Sequence, residues 1–369
     1  MKISGIKAFK DHTLSKYKDK QVEYDFTRLI EPLVTSDVTN IAKSLNIYCD
    51  GLENSIKTAK SVDEKLTREI DRDNSGKKIN NYYRMRDGIR YTEICNHEDI
   101  TKITKQTISR LKNKGYVLTA INNYYRNPFK TTGYKGMHTE FISPQGERME
   151  VQIHSKLSFE QKTKGHELYE KLRNPEIALT QDEEQKMTAK LFEIHNKVPD
   201  PKGIKDIKPF RLSNDEIYKV MDEKRKEWSI QISENRINNV TKVDYSIIHN
   251  NESIIEGKEV YSPNDEVIVN RMISLYSDTK DKRQITGLKE ESFKIDKDNN
   301  VIELNNIQHN LKQSFDINNE LDNVMKDIDT GIEEYESMNN QNNESKSNEN
   351  MSIQQESEVE IDEKGDDAR

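Results

Sequence analysis

The stretch from Met137 to His154 constrains this chain more than any other, because a single strand pairing sorts its side chains completely. Two alternating runs, Met137-His138-Thr139-Glu140-Phe141-Ile142 and Arg148-Met149-Glu150-Val151-Gln152-Ile153-His154, flank Ser143-Pro144-Gln145-Gly146-Glu147. Pro144 followed two residues later by Gly146 suits a type I turn completed by a glycine bulge, which pairs Ser143 with Glu147. Phe141 then faces Met149, Thr139 faces Val151 and Met137 faces Ile153, an apolar face. On the other face His138 meets Gln152 and Glu140 meets Glu150. A slip of one residue would mix the two faces, so the pattern itself specifies the register.

The polar face carries the tension. Glutamates directly opposite on neighbouring strands have Cβ atoms roughly 4.5–5.5 Å apart, and like charges there are destabilising. A magnesium ion, a neighbouring Lys or Arg, or a shared proton would relieve the repulsion. The plain alternative is a solvated face whose carboxylates splay into water. On bare repulsion, Glu140→Gln is expected to be mild or even stabilising.

The surroundings of the hairpin read as helices, then strands, then helices. Val34, Val38, Ile41, Leu45, Tyr48, Leu52 and Ile56 recur at helical spacing, and Val62, Leu66 and Ile70 continue it in a second helix. Asp71-Arg72-Asp73-Asn74-Ser75-Gly76 is a break. Residues 88–95, 116–121, 137–142 and 148–154 read as strands, with a helix over Thr104 to Lys114 between them. Leu157 to Leu172 and Met187 to Ile194 return to helical spacing, which Pro199 and Pro201 end. The expectation is an α+β fold, a nucleotidyltransferase-like mixed β-sheet flanked by helices and followed by a weakly structured C-terminal region. The expected division is an extension over 1–29, a domain over 30–203, a small regulatory or weakly folded region over 204–305, and a helix leading to an acidic tail over 306–369. Within the third segment, Ser213 with Glu216 suits a capping box opening a helix through Trp228.

Composition agrees with one good core. Only 32% of the 369 residues are hydrophobic against 34% charged, lean for two full domains. The net charge of −8 hides a division: residues 331–369 hold 12 acidic and 3 basic side chains, so the remainder sums to +1. A near-neutral body with local basic stripes suits small polyanions such as nucleotides better than a long duplex. Cys49 and Cys95 cannot make a disulfide framework, and no stretch is long and apolar enough for a membrane span. A cytoplasmic protein is expected.

Several motifs resemble those of RelA/SpoT-type synthetases. Gly133-Tyr134-Lys135-Gly136-Met137-His138-Thr139 resembles the family's Gly-Tyr-x-Ser-x-His-Thr, and Glu150-Val151-Gln152-Ile153-His154-Ser155 resembles its Glu-x-Gln-Ile-Arg-Thr. Gly165-His166-Glu167-Leu168-Tyr169 is similar to the following Ala-His-Trp-x-Tyr helix, and Phe129-Lys130 stands at the family's Pro-Lys. Lys57, Ser61 and Lys65 match three positions of Arg-x-Lys-x-x-x-Ser-x-x-x-Lys, with Ser55 in place of its Arg. Asp87-Gly88-Ile89-Arg90 is similar to an Asp-x-x-Gly-x-Arg strand, with a spacing of three where the family has five. Thr132 replaces a guanine-reading Asn and His154 replaces an Arg.

The resemblance, over roughly residues 30–200, implies transfer of the β,γ-pyrophosphate of ATP to the ribose 3′-hydroxyl of a nucleotide acceptor, chemistry that relies on charge neutralisation and positioning. Glu150 is then the base or Mg2+ ligand, with Asp87 a second ligand and His138 beside them. Lys57, Ser61, Lys65 and Arg90 would cradle the triphosphate, Lys130 would meet the acceptor's phosphates, and Gln152 would bind nucleotide. Tyr134 would stack on the acceptor base, in which case Tyr134→Phe is mild. The acceptor is a guanosine nucleotide, giving the (p)ppGpp alarmone of the stringent response, or an adenine nucleotide or tRNA 3′ end, as in the toxin-like branch that Thr132 favours. A domain that has lost catalysis and serves as a nucleotide sensor or scaffold is the alternative. A homo-oligomer and an antitoxin or other regulatory partner remain open, and residues 205–369 either restrain the domain or form a solubilising tail.

Overall fold

The hairpin forms in the register that the alternation predicts: Met137 pairs with Ile153, His138 with Gln152, Thr139 with Val151, Glu140 with Glu150 and Phe141 with Met149. The structure is a computed structural model that describes residues 4–71, 81–174, 177–279 and 282–310. Ser143 N–H donates to Glu147 O at 2.8 Å and Gly146 N–H to Ser143 O at 2.9 Å, closing the turn. Gly146 has φ +86°, and a Cβ there would lie 3.0 Å from Met221 O and Arg225 N, so the turn also seats a later helix.

In chain order the elements around it are α1 (Lys7–Lys10), α2 (Gln21–Ser44), β1 (Tyr48–Asp50), α3 (Ala59–Asp71), β2 (Ile89–Cys95), α4 (Ile100–Asn113) and β3 (Val117–Asn123). The hairpin strands β4 (Met137–Ile142) and β5 (Arg148–Ser155) follow, then α5 (Lys156–Arg173), α6 (Gln181–His195), β6 (Phe210–Arg211) and α7 (Asn214–Arg225). The strands form one mixed sheet ordered β1-β2-β5-β4-β3-β6, with β2 and β5 parallel and the other neighbours antiparallel. This is the expected α+β arrangement of a mixed sheet flanked by helices.

The first helix departs from the expected span of 34–56. It begins at Gln21 and stops at Ser44, because Asn46 takes φ +57°. Ile47 N–H then bonds Ala42 O and Asn46 N–H bonds Lys43 O, the paired bonds of a Schellman end. Tyr48 and Leu52, read as the next turns of that helix, belong to β1 and to a short 3₁₀ turn. The boundary placed at 29/30 therefore falls inside α2. The one placed at 203 cuts off β6, which pairs with β3 through Ala120 and Arg211. The Ser213–Glu216 capping box is present, but its helix ends at Arg225.

The segment expected to be weakly folded is a second sheet. Strands β7 (Trp228–Ile237), β8 (Val240–His249), β9 (Glu252–Tyr261), β10 (Val267–Thr279), β11 (Lys282–Ile295) and β12 (Val301–Asn310) form an antiparallel meander. Asn238 and Asn239 have φ +50° and +64°, Asn250 and Asn251 +49° and +69°, so the β7–β8 and β8–β9 hairpins turn on left-handed asparagines. Residues 306–310, expected to be helical, are strand; the tail and residues 72–76 lie outside the described residues.

Helix α2 packs on β8 and β10 as well as on β1 and β2, and residues 24–32 are buried without interruption. Its charges are therefore paired internally. Arg28 Nη1 donates to Glu259 Oε1 at 2.6 Å and Arg28 Nη2 to Asp25 Oδ1 at 3.2 Å. Glu31 accepts from Ser4 Oγ at 3.0 Å, from Ser55 Oγ at 2.7 Å and from Thr35 Oγ1. Phe9 of α1 meets Phe293 edge-on at 5.4 Å, so the N-terminal segment caps the second sheet.

Two buried carboxyls give stability a pH dependence. Burial pushes Glu93 of β2 up from the usual 4.5 to about 7, against the lowering hydrogen bond from Thr107 Oγ1 at 2.8 Å. Burial likewise raises Glu147 to about 7, against Arg225 and Thr27. Raised carboxyls bind protons in the folded state that the unfolded chain releases, so their contribution is complete below the unfolded value and is lost as pH rises through the folded one. The thermal midpoint is expected to fall between about pH 5 and pH 8, and Glu93→Gln to flatten that slope. A pH series of melting curves on both proteins checks it, and parallel slopes would remove Glu93 from the account.

Candidate active site

The polar face of the hairpin floors a cavity of about 950 Å³. Strand neighbours set two rows of side chains on that floor. Arg90 pairs with Glu150, Glu150 with Glu140, Glu140 with Ala120, and Ala120 with Arg211. Beside them run Thr92, Gln152, His138 and Asn122, again register partners from strand to strand. Helices α5 and α6 wall one side with Phe159, Lys162, His166, Tyr169, Arg173 and His195.

The opposed glutamates are separated by different partners. Glu140, 2% exposed, accepts from Arg148 Nη2 at 3.1 Å, from Arg211 Nη2 at 3.0 Å and from Asn122 Nδ2 at 3.0 Å. Glu150 faces His138 Nδ1 at 3.3 Å and accepts from Gln152 Nε2. Burial would raise the Glu150 carboxyl, but the charge and hydrogen bond of His138, with Arg90 and Gln152, hold it well below the usual carboxylate range. Of the three reliefs that the sequence allowed, Glu140 uses neighbouring arginines.

A hydrogen-bonded chain runs away from Glu150 in both directions. On one side Gln152 Oε1 accepts from Lys162 Nζ at 2.6 Å, and burial beside Arg90 lowers that lysine to about 8. On the other, His138 Nε2 meets Tyr134 Oη at 2.7 Å, Tyr134 Oη meets His154 Nε2 at 3.0 Å, and His154 Nδ1 meets Ser158 Oγ at 3.0 Å. Burial, Lys162 and His138 keep the wholly buried His154 neutral, well below the usual histidine value. Tyr134 reaches this position by folding over Gly136, where a Cβ would come within 2.5 Å of its hydroxyl.

The cationic end is built at the start of α3. Lys57 lies just before that helix, not on it, tied by its N–H to Gly88 O at 3.1 Å and by its carbonyl to Tyr24 Oη at 2.9 Å. Asp87 pairs through Oδ2 with Lys57 Nζ at 3.2 Å and, in a longer ion pair, through Oδ1 with Lys65 Nζ at 3.5 Å. Burial would raise the Asp87 carboxyl, and the two lysines outweigh it and hold it low. Arg84 and Arg86 precede β2 and do not share its alternation, although Arg86 lines the cavity.

Eight of the residues singled out in the sequence line this cavity: Lys57, Lys65, Asp87, Arg90, Tyr134, His138, Glu150 and Gln152. Ser61 and Lys130 are not among the lining; Ser61 Oγ accepts from Thr58 Oγ1 at 3.3 Å and Lys130 is exposed. Sequence reasoning missed Lys162 and Arg211. Lys162 stands one helical turn before His166 of the Gly165–Tyr169 motif, a signal that was present. Arg211 had none, because a strand of two residues carries no alternation. The lining ends at Arg211, so none of the described residues of β7–β12 is part of it.

The donor set fits a magnesium ion only with help from a substrate. Asp87 and Glu150 line the same cavity, and Asp87 Oδ1 is buried with no hydrogen bond beyond its long ion pair to Lys65. No group of three His, Cys, Asp or Glu suited to a metal exists among the described residues. Two carboxylates plus phosphate oxygens are the usual magnesium environment, so Asp87 and Glu150 would hold an ion that arrives with a triphosphate.

Two outcomes follow from this geometry. Glu140→Gln leaves Arg148 buried without its carboxylate and is expected to cost on the order of 3 kcal/mol, the reverse of the relief anticipated from bare repulsion. Urea denaturation of the variant measures it, and unchanged stability would mean that the pair is idle. Tyr134→Phe removes two hydrogen bonds and should destabilise the fold by about 1–2 kcal/mol, apart from the mild effect on acceptor use that stacking implies. The same measurement decides this, since equal midpoints would leave the ring as the only useful part of Tyr134.

No protein-family model matches the chain, and no curated protein does. Among solved structures, small alarmone synthetase 2 from Bacillus subtilis is 16% identical, over 50% of this chain and 92% of that chain, with a TM-score of 0.35. Small alarmone synthetase 1 from Bacillus subtilis, bound to its product pppGpp, is 13% identical over 49% and 91%, with a TM-score of 0.33. The complex between the Type VI effector Tas1 and its immunity protein holds a chain 17% identical over 47% and 94%, with a TM-score of 0.31. Each of these is a protein to which the chain is similar, over about half of this chain's length.

Proposed function

We propose that the chain is a pyrophosphokinase that transfers the β,γ-pyrophosphate of ATP to a ribose 3′-hydroxyl of a nucleotide acceptor. The observation that carries the reading is Glu150, a half-buried carboxylate held well below the usual range, which lines one cavity with the cations Lys57, Lys65 and Arg90 and the aromatic side chains Tyr124 and Tyr134. Those cations match a triphosphate, and the wall matches a base.

In the step, the 3′-oxygen forms a bond to the β-phosphorus of ATP while the bond from that phosphorus to the α,β-bridging oxygen breaks. AMP departs with the electron pair. Phosphoryl transfer of this kind has a loose transition state, so the hydroxyl proton leaves late, by way of the Glu150 carboxylate to solvent, and positioning matters more than basicity. Glu150 suits that task although its proton affinity is low: it accepts the hydroxyl's hydrogen bond and orients the oxygen in line. His138, hydrogen-bonded behind it, keeps the carboxylate ionised and aimed. Lys57, Lys65 and Arg90 neutralise the charge that builds on the pyrophosphate. A magnesium ion bound by Asp87 and Glu150 with the phosphates would supply further neutralisation.

The acceptor of this reading is a guanosine nucleotide, an adenine nucleotide or the 3′ end of tRNA. Purified protein with γ-labelled ATP and, separately, GDP, GTP, AMP and tRNA assigns the acceptor by which one gains label. Nucleotide binding without transfer to any of them would instead favour the sensor or scaffold reading. Glu150→Gln keeps the shape and removes the charge, and is expected to lower transfer by roughly 10²–10⁴-fold with circular dichroism unchanged. Near-normal turnover of that variant would take Glu150 out of the reaction.

A further inference from the structure

The cavity has a second cationic end that the motifs do not account for. Glu140 is held by Arg148 and Arg211 together, and Arg86 is close enough to act on the charge of Arg148. Two guanidiniums thus contact one carboxylate, a formal excess of one positive charge, and Arg86 lines the same cavity. Arg148 alone would satisfy Glu140: both side chains are 3% exposed and meet at 3.1 Å. Arg211 differs, because its side chain is 37% exposed and lines the cavity. A redundant, accessible guanidinium beside a buried one is repelled by it unless an anion joins the group. The cation expected from the motifs to meet the acceptor's phosphates, Lys130, is exposed and outside the lining.

We infer that Arg211, with Arg86, binds the 5′-phosphate of the acceptor nucleotide, on the side of Glu150 opposite the triphosphate cradle. The inference rests on the pyrophosphokinase reading. Glu140 and Glu150 are direct partners on adjacent strands about 4.8 Å apart, so Arg211 over Glu140 and the reacting hydroxyl over Glu150 stand one ribose apart. Arg211 forks onto Glu140 through Nη1 at 3.3 Å and Nη2 at 3.0 Å, and Nη2 also reaches Asn122 Oδ1 at 2.9 Å, so the guanidinium is held flat and pre-aimed. The acceptor phosphate site is therefore built by β6, a strand lying beyond the motif-bearing region.

The test is calorimetric and needs no turnover. The full chain is saturated with a non-transferable α,β-methylene ATP and titrated with GDP, AMP, guanosine and adenosine. Wild type should bind the nucleotides more tightly than their nucleosides, and Arg211→Gln should weaken the nucleotides by about tenfold or more while leaving the nucleosides and the ATP analogue unchanged. Arg211→Lys should recover part of the loss. Equal weakening of nucleotides and nucleosides with a lowered melting temperature would make Arg211 a clamp on Glu140 and overturn the inference, as would wild type binding nucleosides as tightly as nucleotides. Phosphate-dependent binding through Arg211 without label transfer would sink the pyrophosphokinase reading alone and keep the phosphate site.

Discussion

Everything in the candidate site depends on two carboxylates that the hairpin register forces to face one another. Glu140 and Glu150 are chemically the same group on the same sheet face, and their partners make them different. Two arginines bury Glu140 and turn it into a fixed hub, whereas His138 and Gln152 hold Glu150 ionised at the edge of the cavity. Much of the later chain serves that difference. β6 delivers Arg211, α7 covers Ile142 and sits against Gly146, and α5 supplies Lys162 and Ser158 to the chain of hydrogen bonds.

The same economy of partners joins the two sheets. Helix α2 is buried on several sides at once, so its charges must find partners in whatever packs on it. Arg28 finds Glu259 on β9, 231 residues away, and a buried pair that loses one member leaves the other uncompensated. The second sheet is accordingly part of the housing of α2. Through Glu31 and Ser55 that housing reaches the site, because Ser55 O accepts Arg90 N–H at 2.8 Å. Arg90 thus stands on a backbone whose position is tied to α2.

Much of this was legible beforehand. The hairpin register, the Ser213–Glu216 cap, the mixed sheet and eight cavity residues all follow from local pattern or from motifs that resemble a known family. Other features were written in the sequence but read too weakly. Asn46 ended the first helix ten residues before its apolar spacing stopped, since a left-handed asparagine closes a helix whatever follows. The pairs Asn238-Asn239 and Asn250-Asn251, each between alternating runs, were hairpin signals for the second sheet.

The sequence by itself determined which side chains share a face, because strand and helix periods are local and leave a repeating trace. Tertiary structure alone decided which charge meets which. Arg211 reaches Glu140 across 71 residues, and Tyr134 places its hydroxyl between two histidines because Gly136 lets the ring fold back. Such partnerships depend on strand order and on the close approach of separate elements, and neither leaves a period in the chain. The roles of Glu140 and Tyr134 were therefore set by neighbours that no spacing rule could supply.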